Sequence, residues 1–461
     1  MFQNFSELKA LGPCNQANRM RDLVLTILIP CGLIWGLVSA RGSTLVLLWI
    51  GFQRPHDFSY GVWNDKPLWQ LALIICVFSN FLRGEFKPKH PPMLVLSIIF
   101  FLWMAITCIT AFNPGNSWWF FSTYVLPMAV GLWVVSATIN DLDMLKASMW
   151  IATGALAING AKTGASLTLS GGGSITDEIS GFVGDNNVFG LTLCLVVAVM
   201  MGLRATMPAR LPLRVLFYAG MFFSILTIIF TQSRGALISV SAIMFMASLL
   251  GGKPIRHLAL LTACATIIFL AVPKSSFERL DTLNDLSADE SAMGRVENWI
   301  LSLDAAQENP AFGIGLGNHI PYHAHHGADV QIRVAHSVYF QILGELSFMG
   351  LFLFLAIVAI TWFSLWRNWR RYAALAAHHP EVKWVRNLFF WLLCGFTGYS
   401  LGAGLLDMLY IEYPWYMMLF IALLGPMISK DEKFAALLQT DGKPAPTAGR
   451  LRFRHPGPSQ P

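Results

Sequence analysis

Three ionisable side chains stand where apolar runs of this chain begin or end: Arg234 in "TQSRGALISV", Arg295 in "GRVENW" and His336 in "AHSVYF". A guanidinium presents a fork that matches phosphate oxygens, which a lysine does not reproduce. A histidine at the start of a helix meets the partial positive charge of that terminus, which disfavours imidazolium and keeps the ring able to accept a proton. A general base works best with a pKa near the working pH. Phosphate recognition and proton abstraction are the chemistry these residue types can do. Each also has a plainer reading. Arg234 can snorkel to headgroups, Arg295 can be a solvated charge beside Glu297, and His336 can cap its helix or bind interfacial water. Gly235, directly after Arg234, would let a ligand approach the backbone.

Other polar residues are weaker candidates. "GFVGDNNVFG" puts Asp185, Asn186 and Asn187 at the start of an apolar run, where they can cap a helix or hydrogen-bond sugar hydroxyls. Arg54 in "QRPHD" is a further polar candidate for glycan or acceptor binding. Glu345 lies roughly 13 Å deeper along the helix than His336 and about half a turn round it, so it calls for a partner on another helix. His319, His323, His325, His326 and Asp329 crowd one loop, yet their spacing matches no metal motif, and solvated loop histidines are the simpler reading. No metal site is expected. "FGIGLGNH" lacks the strand and helix of a dinucleotide fingerprint and the lysine of a P-loop, so no nucleotide cofactor is expected either.

What must position these residues is a membrane-embedded bundle. Of 461 residues, 55% are hydrophobic and only 13% charged, where a soluble domain carries about a quarter charged residues. Apolar runs of near-spanning length recur, so the expected fold is all-α and polytopic, with about twelve transmembrane helices. They are expected at 22–53, 66–82, 91–111, 117–138, 145–163, 187–204, 211–230, 232–250, 255–272, 337–366, 386–405 and 408–428. The first is too long for one straight span and reads as a span plus a half-helix, interrupted by Pro30 and "ARGS". It lacks a convincing cleavage site and reads as a retained segment.

Residues 1–272 thus hold about nine spans, 273–336 a large outer loop, 337–429 about three spans, and 430–461 a Pro-rich basic tail. Arg83, Lys87 and Lys89, then Arg204, Arg210 and Arg214, then Lys253 and Arg256, then Arg367 to Arg386 fall in connections on one side. Lysine and arginine mark the cytoplasmic side, and twelve crossings place both termini there. The net charge of +6 is therefore no nucleic-acid signal. The outer loop is acidic, with nine acidic against four basic side chains from Lys274 to Arg333. Within it, 294–310 reads as an amphipathic helix with Val296, Trp299, Ile300 and Leu303 on one face, stopped by Pro310. Six of the seven cysteines lie in apolar segments, which suggests no disulfide framework.

In this order, "TQSRGA", "GRVENW", "NPAFGIGLGNH" and "AHSVYFQILGELSFMG" resemble the O-antigen ligase and polysaccharide polymerase superfamily, over about Asp185 to Gly350. The stretch "LWIGFQRPHDFSYG" is similar to the branch of O-glycosylation ligases from exosortase-associated systems. The resemblance implies a glycosyltransferase at the periplasmic face of the bacterial inner membrane. Its donor would be a glycan on undecaprenyl diphosphate and, for an O-antigen ligase, its acceptor lipid A–core. On that template Arg234 and Arg295 match the donor-diphosphate arginines and His336 the catalytic histidine, while Ser337 stands where family members often have asparagine. The implied reaction is metal-independent and inverting. A polymerase extending its own lipid-linked glycan, transfer to a protein hydroxyl, and a non-enzymatic polysaccharide or lipid transporter are the alternatives.

Overall fold

Ser39 turns the first apolar stretch back on itself. The structure, a computed structural model, describes residues 16–59, 61–64, 66–171, 175, 185–251, 290–327, 334–431, 433–434 and 437. Helix α1 (Gln16–Val38) stops at Ser39, which is extended and whose hydroxyl accepts the Gly42 N–H, and α2 (Ala40–Gln53) follows. Gly36 faces Ser43 and Gly32 faces Trp49 and Val46. That pairing requires antiparallel helices. Residues 22–53 therefore form a hairpin, not the expected span plus half-helix. The glycines permit the close approach, as small residues do between helices in lipid.

The chain continues through α3 (Leu68–Leu82), α4 (Pro92–Ile109) and α5 (Pro114–Phe120), which passes through a π turn at Phe121–Val125 into α6 (Leu126–Thr138). Then come α7 (Leu142–Leu169), α8 (Asn186–Leu203), α9 (Leu211–Phe230) and α10 (Arg234–Gly251). Two helices of the loop region follow, α11 (Glu290–Glu308) and α12 (His319–His325). The last three are α13 (Val338–His378), α14 (Lys383–Gly402) and α15 (Glu412–Lys430). Among the described residues there is no strand. The fold is all-α and that of a multi-pass membrane protein.

Eight helical stretches of the described residues are long and apolar enough to cross a bilayer, which is fewer than the twelve expected. At 14 and 15 residues, α2 and α3 fall short of the ~20 residues that a straight span needs. The expected span at 255–272, loop residues 273–289 and 328–333, and the tail beyond Leu437 lie outside the described residues. Hydroxyls tie the bundle together without adding bulk: Ser224 donates to the Ala157 carbonyl at 3.2 Å, and Thr227 to that of Gly160 at 2.6 Å, joining α9 to α7.

The connections sort to two ends. At one, Arg41 pairs with Asp141 at 2.6 Å, Lys89 donates to Asn140 at 2.8 Å, and Trp150 donates to Thr206 at 3.0 Å. Lys146 stands 5.4 Å over Trp384, and the charge of Lys430 reaches Lys89. This is the basic end. At the other, Ser59 donates to Asp22 at 3.2 Å, Ile175 to the Phe230 carbonyl at 3.1 Å, and Asn186 to that of Thr231 at 3.1 Å. Asp22, near the start of α1, thus lies opposite Lys430 at the close of α15. The expectation that both chain ends share one side took the stretch 22–53 as a single crossing, whereas the Ser39 hairpin brings Asp22 back beside Ser59.

Candidate functional site

The site is built where α13 begins. His336 precedes that helix with φ 47°, in the left-handed region. The Asp407 carboxylate fixes this turn, accepting the N–H of His336 at 3.1 Å and that of Ser337 at 3.3 Å. Its Oδ2 also lies 3.7 Å from Nδ1 of the His336 ring, with about a third of the histidine side chain exposed. At that distance the ring contact is electrostatic, longer than a hydrogen bond. An acid held against Nδ1 favours the tautomer in which Nε2 is the nitrogen that accepts a proton.

Asp407 gathers the other charges. Burial pushes its carboxyl up to about 6, against the two N–H bonds that favour the ionised form. The negative charge of Asp185 pushes the same way, and the positive charge of Arg295 opposes it. Asp185 caps α8, accepting the N–H groups of Asn187 and Val188 at 2.7 and 3.0 Å, so its structural role is real and its charge still reaches the site. Asn187 donates to Asn186 at 3.0 Å.

Arg295 lies in the second turn of α11, which starts at Glu290 and so earlier than the sequence suggested. One turn on, Trp299 docks that helix against the histidine segment. Its indole donates to the Ala335 carbonyl at 2.8 Å and stacks on Phe340 at 5.1 Å. The stripe that α11 buries is not the apolar one. Asn298, Ser302 and Ala305 are buried, whereas Val296 is 42% exposed and Ile300 52% exposed. A Cβ on Gly344 of α13 would stand 3.3 Å from the Ser302 Cα, so small side chains are what this crossing admits.

Arg234 is the first residue of α10, reached through a tight turn in which Gln232 has φ 50° and the Ser233 hydroxyl accepts the Ala236 N–H at 3.3 Å. Gly235 opens the backbone to protein and not to a ligand, correcting the sequence reading. A Cβ there would meet Leu406 at 3.0 Å and the Gly402 carbonyl at 3.4 Å. Arg234 is therefore one residue from the contact with Leu406, itself the neighbour of Asp407. Arg54 stands apart. It caps α2 in a left-handed conformation and lines a separate cavity of about 520 Å³ with His56, Lys66 and Glu412.

A break in α13 seats the glycine-rich segment beneath this site. Ser347 has φ 61° and ψ −170°, interrupting the helix. The carbonyls around the break find other donors: Gly344 takes the Ile314 N–H at 3.1 Å, Glu345 that of Gly315 at 2.9 Å, and Leu346 the Trp103 indole at 3.1 Å. Gly313 has φ 72°, and a Cβ on it would lie 2.5 Å from the Glu345 carbonyl oxygen. The glycines serve this docking, not a nucleotide. Glu345 is buried and accepts the Tyr410 hydroxyl at 3.0 Å, a partner in the connection before α15 and not on another helix.

The histidine cluster also departs from expectation. His319 and His323 are buried on α12, their rings 4.7 Å apart, and His319 faces the Asn298 amide oxygen at 3.4 Å. Burial, then the charge of His323, brings His319 down to about 4. His325 and His326 are exposed, and Asp329 lies outside the described residues. Among the described residues no three of His, Cys, Asp and Glu gather with metal-holding geometry.

Sequence reasoning missed Asp407. The available signal was the first of two carboxylates in "GLLDMLYIEYP", between two apolar runs at the same end as His336. Comparison with known families gives two matches. Residues 219–355, which include Arg234, Arg295 and His336, match the family model described as O-antigen ligase. Residues 20–203 match a family of unknown function. No curated protein matches the chain.

Proposed function

Because the chain belongs to the O-antigen ligase and polysaccharide polymerase superfamily, whose members are glycosyltransferase-like enzymes of O-antigen processing, we propose that it is a ligase. It moves a glycan from undecaprenyl diphosphate to a hydroxyl of lipid A–core at the periplasmic face of the inner membrane. The observation that carries this reading is the placement of Asp407, which holds the His336 backbone and ring while the charge of Arg295 acts on it. An arginine, an acid and a histidine share one neighbourhood at the end of the bundle opposite the basic connections, and Arg234 stands beside it.

In the reaction, the acceptor oxygen attacks the anomeric carbon as the bond to the diphosphate oxygen breaks, which inverts the centre. The hydroxyl proton passes to Nε2 of His336, and the ionised Asp407 stabilises the imidazolium that forms. The electron pair leaves with the diphosphate, a good leaving group that needs charge stabilisation more than an acid. Arg234 and Arg295 supply it in a low-dielectric setting, where it counts most. Asp185 and Asn187 lie close enough to this end of the bundle to meet sugar hydroxyls. No step calls for a metal.

The superfamily also contains polymerases, and the same residues serve both reactions. Purified protein given labelled lipid-linked glycan with either lipid A–core or a carrier-linked acceptor separates the two. Labelled lipid A–core is the expected product, and lengthening of carrier-linked glycan alone overturns the ligase reading. Glycan movement across reconstituted vesicles without transfer would make the protein a transporter.

A further inference from the structure

At the basic end, α4, α13 and α15 leave a cavity of about 600 Å³ between them. Its lining changes character along the bundle axis. Ile360 and Phe363 of α13 and Ile421 and Ala422 of α15 form the deeper wall, and Arg367, Arg371 and Ser429 form the wall nearer the connections. Arg367 and Arg371 share this lining with Pro92, the first residue of α4, and with Ser429, one residue before the close of α15, so they stand level with the helix ends at the basic connections. The arginines thus sit at headgroup level while the isoleucines and Phe363 face the tails.

The two arginines are four residues apart and so share a face. Both are exposed, and among the described residues neither has a carboxylate within ion-pair distance. Positive charge accumulates nearby. Burial, then the charges of Lys87 and Lys430, brings Lys89 down to about 8, and Lys430 adjoins Ser429 of the cavity wall.

We propose that this cavity binds an anionic glycerophospholipid of the leaflet at the basic end, its phosphate between Arg367 and Arg371 and an acyl chain along Ile360, Phe363 and Ile421. Basic pockets between helices on the cytoplasmic side suit anionic headgroups, and a free phosphate would leave the apolar wall unused.

The test uses the full chain in nanodiscs of phosphatidylcholine with or without phosphatidylglycerol, with retained lipid counted by native mass spectrometry. Wild type retains phosphatidylglycerol and melts at a higher temperature in its presence. The R367Q/R371Q variant binds it about thirtyfold less tightly, taking about 1 kcal/mol for each arginine, and loses the melting shift. Its melting temperature in phosphatidylcholine alone checks that it folds. Should it melt early there, R367K/R371K, which keeps both charges, takes its place and retains the lipid. Equal retention by wild type and R367Q/R371Q, or loss of retention in R367K/R371K, overturns the proposal. So does an equal melting shift from inorganic phosphate, which would make this a soluble-anion site.

Discussion

Holding a histidine at φ 47° costs about 1–3 kcal/mol, and the Asp407 carboxylate offsets it through two backbone amides. Those amides survive a change of side chain. His336→Ala should therefore insert and fold normally while transfer falls about a hundredfold to ten-thousandfold, the usual worth of a general base. Near-normal turnover would remove the histidine from the reaction. Asp407 adds a pH signature. Burial pushes its carboxyl up to about 6, so its protonation should weaken transfer as pH drops through 6, and Asp407→Asn should alter the shape of that decline and cost most activity. Stability leans the other way. The folded value lies above the ordinary 3.8, so this contribution is full below 3.8 and lost as pH rises through 6. The variant's melting temperature should lose that slope. Arg234→Lys keeps the charge but not the fork, and donor turnover should fall about tenfold or more. At this scale His336, Arg234 and Arg295 stood out as candidates because ionisable groups are conspicuous in an apolar chain. Asp407 was not. It stands 71 residues from His336, and their segments meet where the Tyr339 hydroxyl donates to the Ser400 carbonyl at 2.7 Å and its ring lies against Gly404.

Helix α11 gives the same lesson one level up. Periodicity found the helix and Pro310 marked its end, yet of the apolar stripe only Trp299 docks inward, while Val296 and Ile300 are exposed. Periodicity identifies which face is apolar and says nothing of what covers it, whereas helices that cross closely select small side chains. Asn298 and Ser302 do that here, and each bonds back to its own helix, Asn298 to the Gly294 carbonyl at 2.6 Å and Ser302 to that of Asn298 at 2.9 Å. The buried imidazole of His319 locks α12 to the same face. Its value of about 4 lies below the ordinary 6.5, so the stabilisation is full above 6.5 and lost as pH falls through 4. Limited proteolysis within 290–327 should accelerate over that range, and His319→Gln should flatten the response. A proteolysis rate independent of pH in the wild-type protein would show that protonating this histidine loosens nothing.

For the molecule as a whole, the basic connections of the described residues share one end, as charge that cannot cross the hydrocarbon must collect outside it, while Lys253 and Arg256 lie outside the described residues. The turn at Ser39 was not legible, since "VSARGS" gives no sign of whether the chain pauses or reverses. The pairing of Gly36 with Ser43 and of Gly32 with Trp49 reveals the reversal. A membrane-impermeant thiol reagent should reach Met20→Cys from one side of the membrane and Lys433→Cys only from the other. Labelling of both from one side would contradict the hairpin. The break at Ser347 bears on how substrates arrive. The glycine segment completes the carbonyls that the break exposes, and pulling it away would strand them without donors at several kcal/mol apiece. It is a keystone and not a flap. On the proposed function, lipid-borne reactants then reach His336 from the leaflet and not by way of this segment.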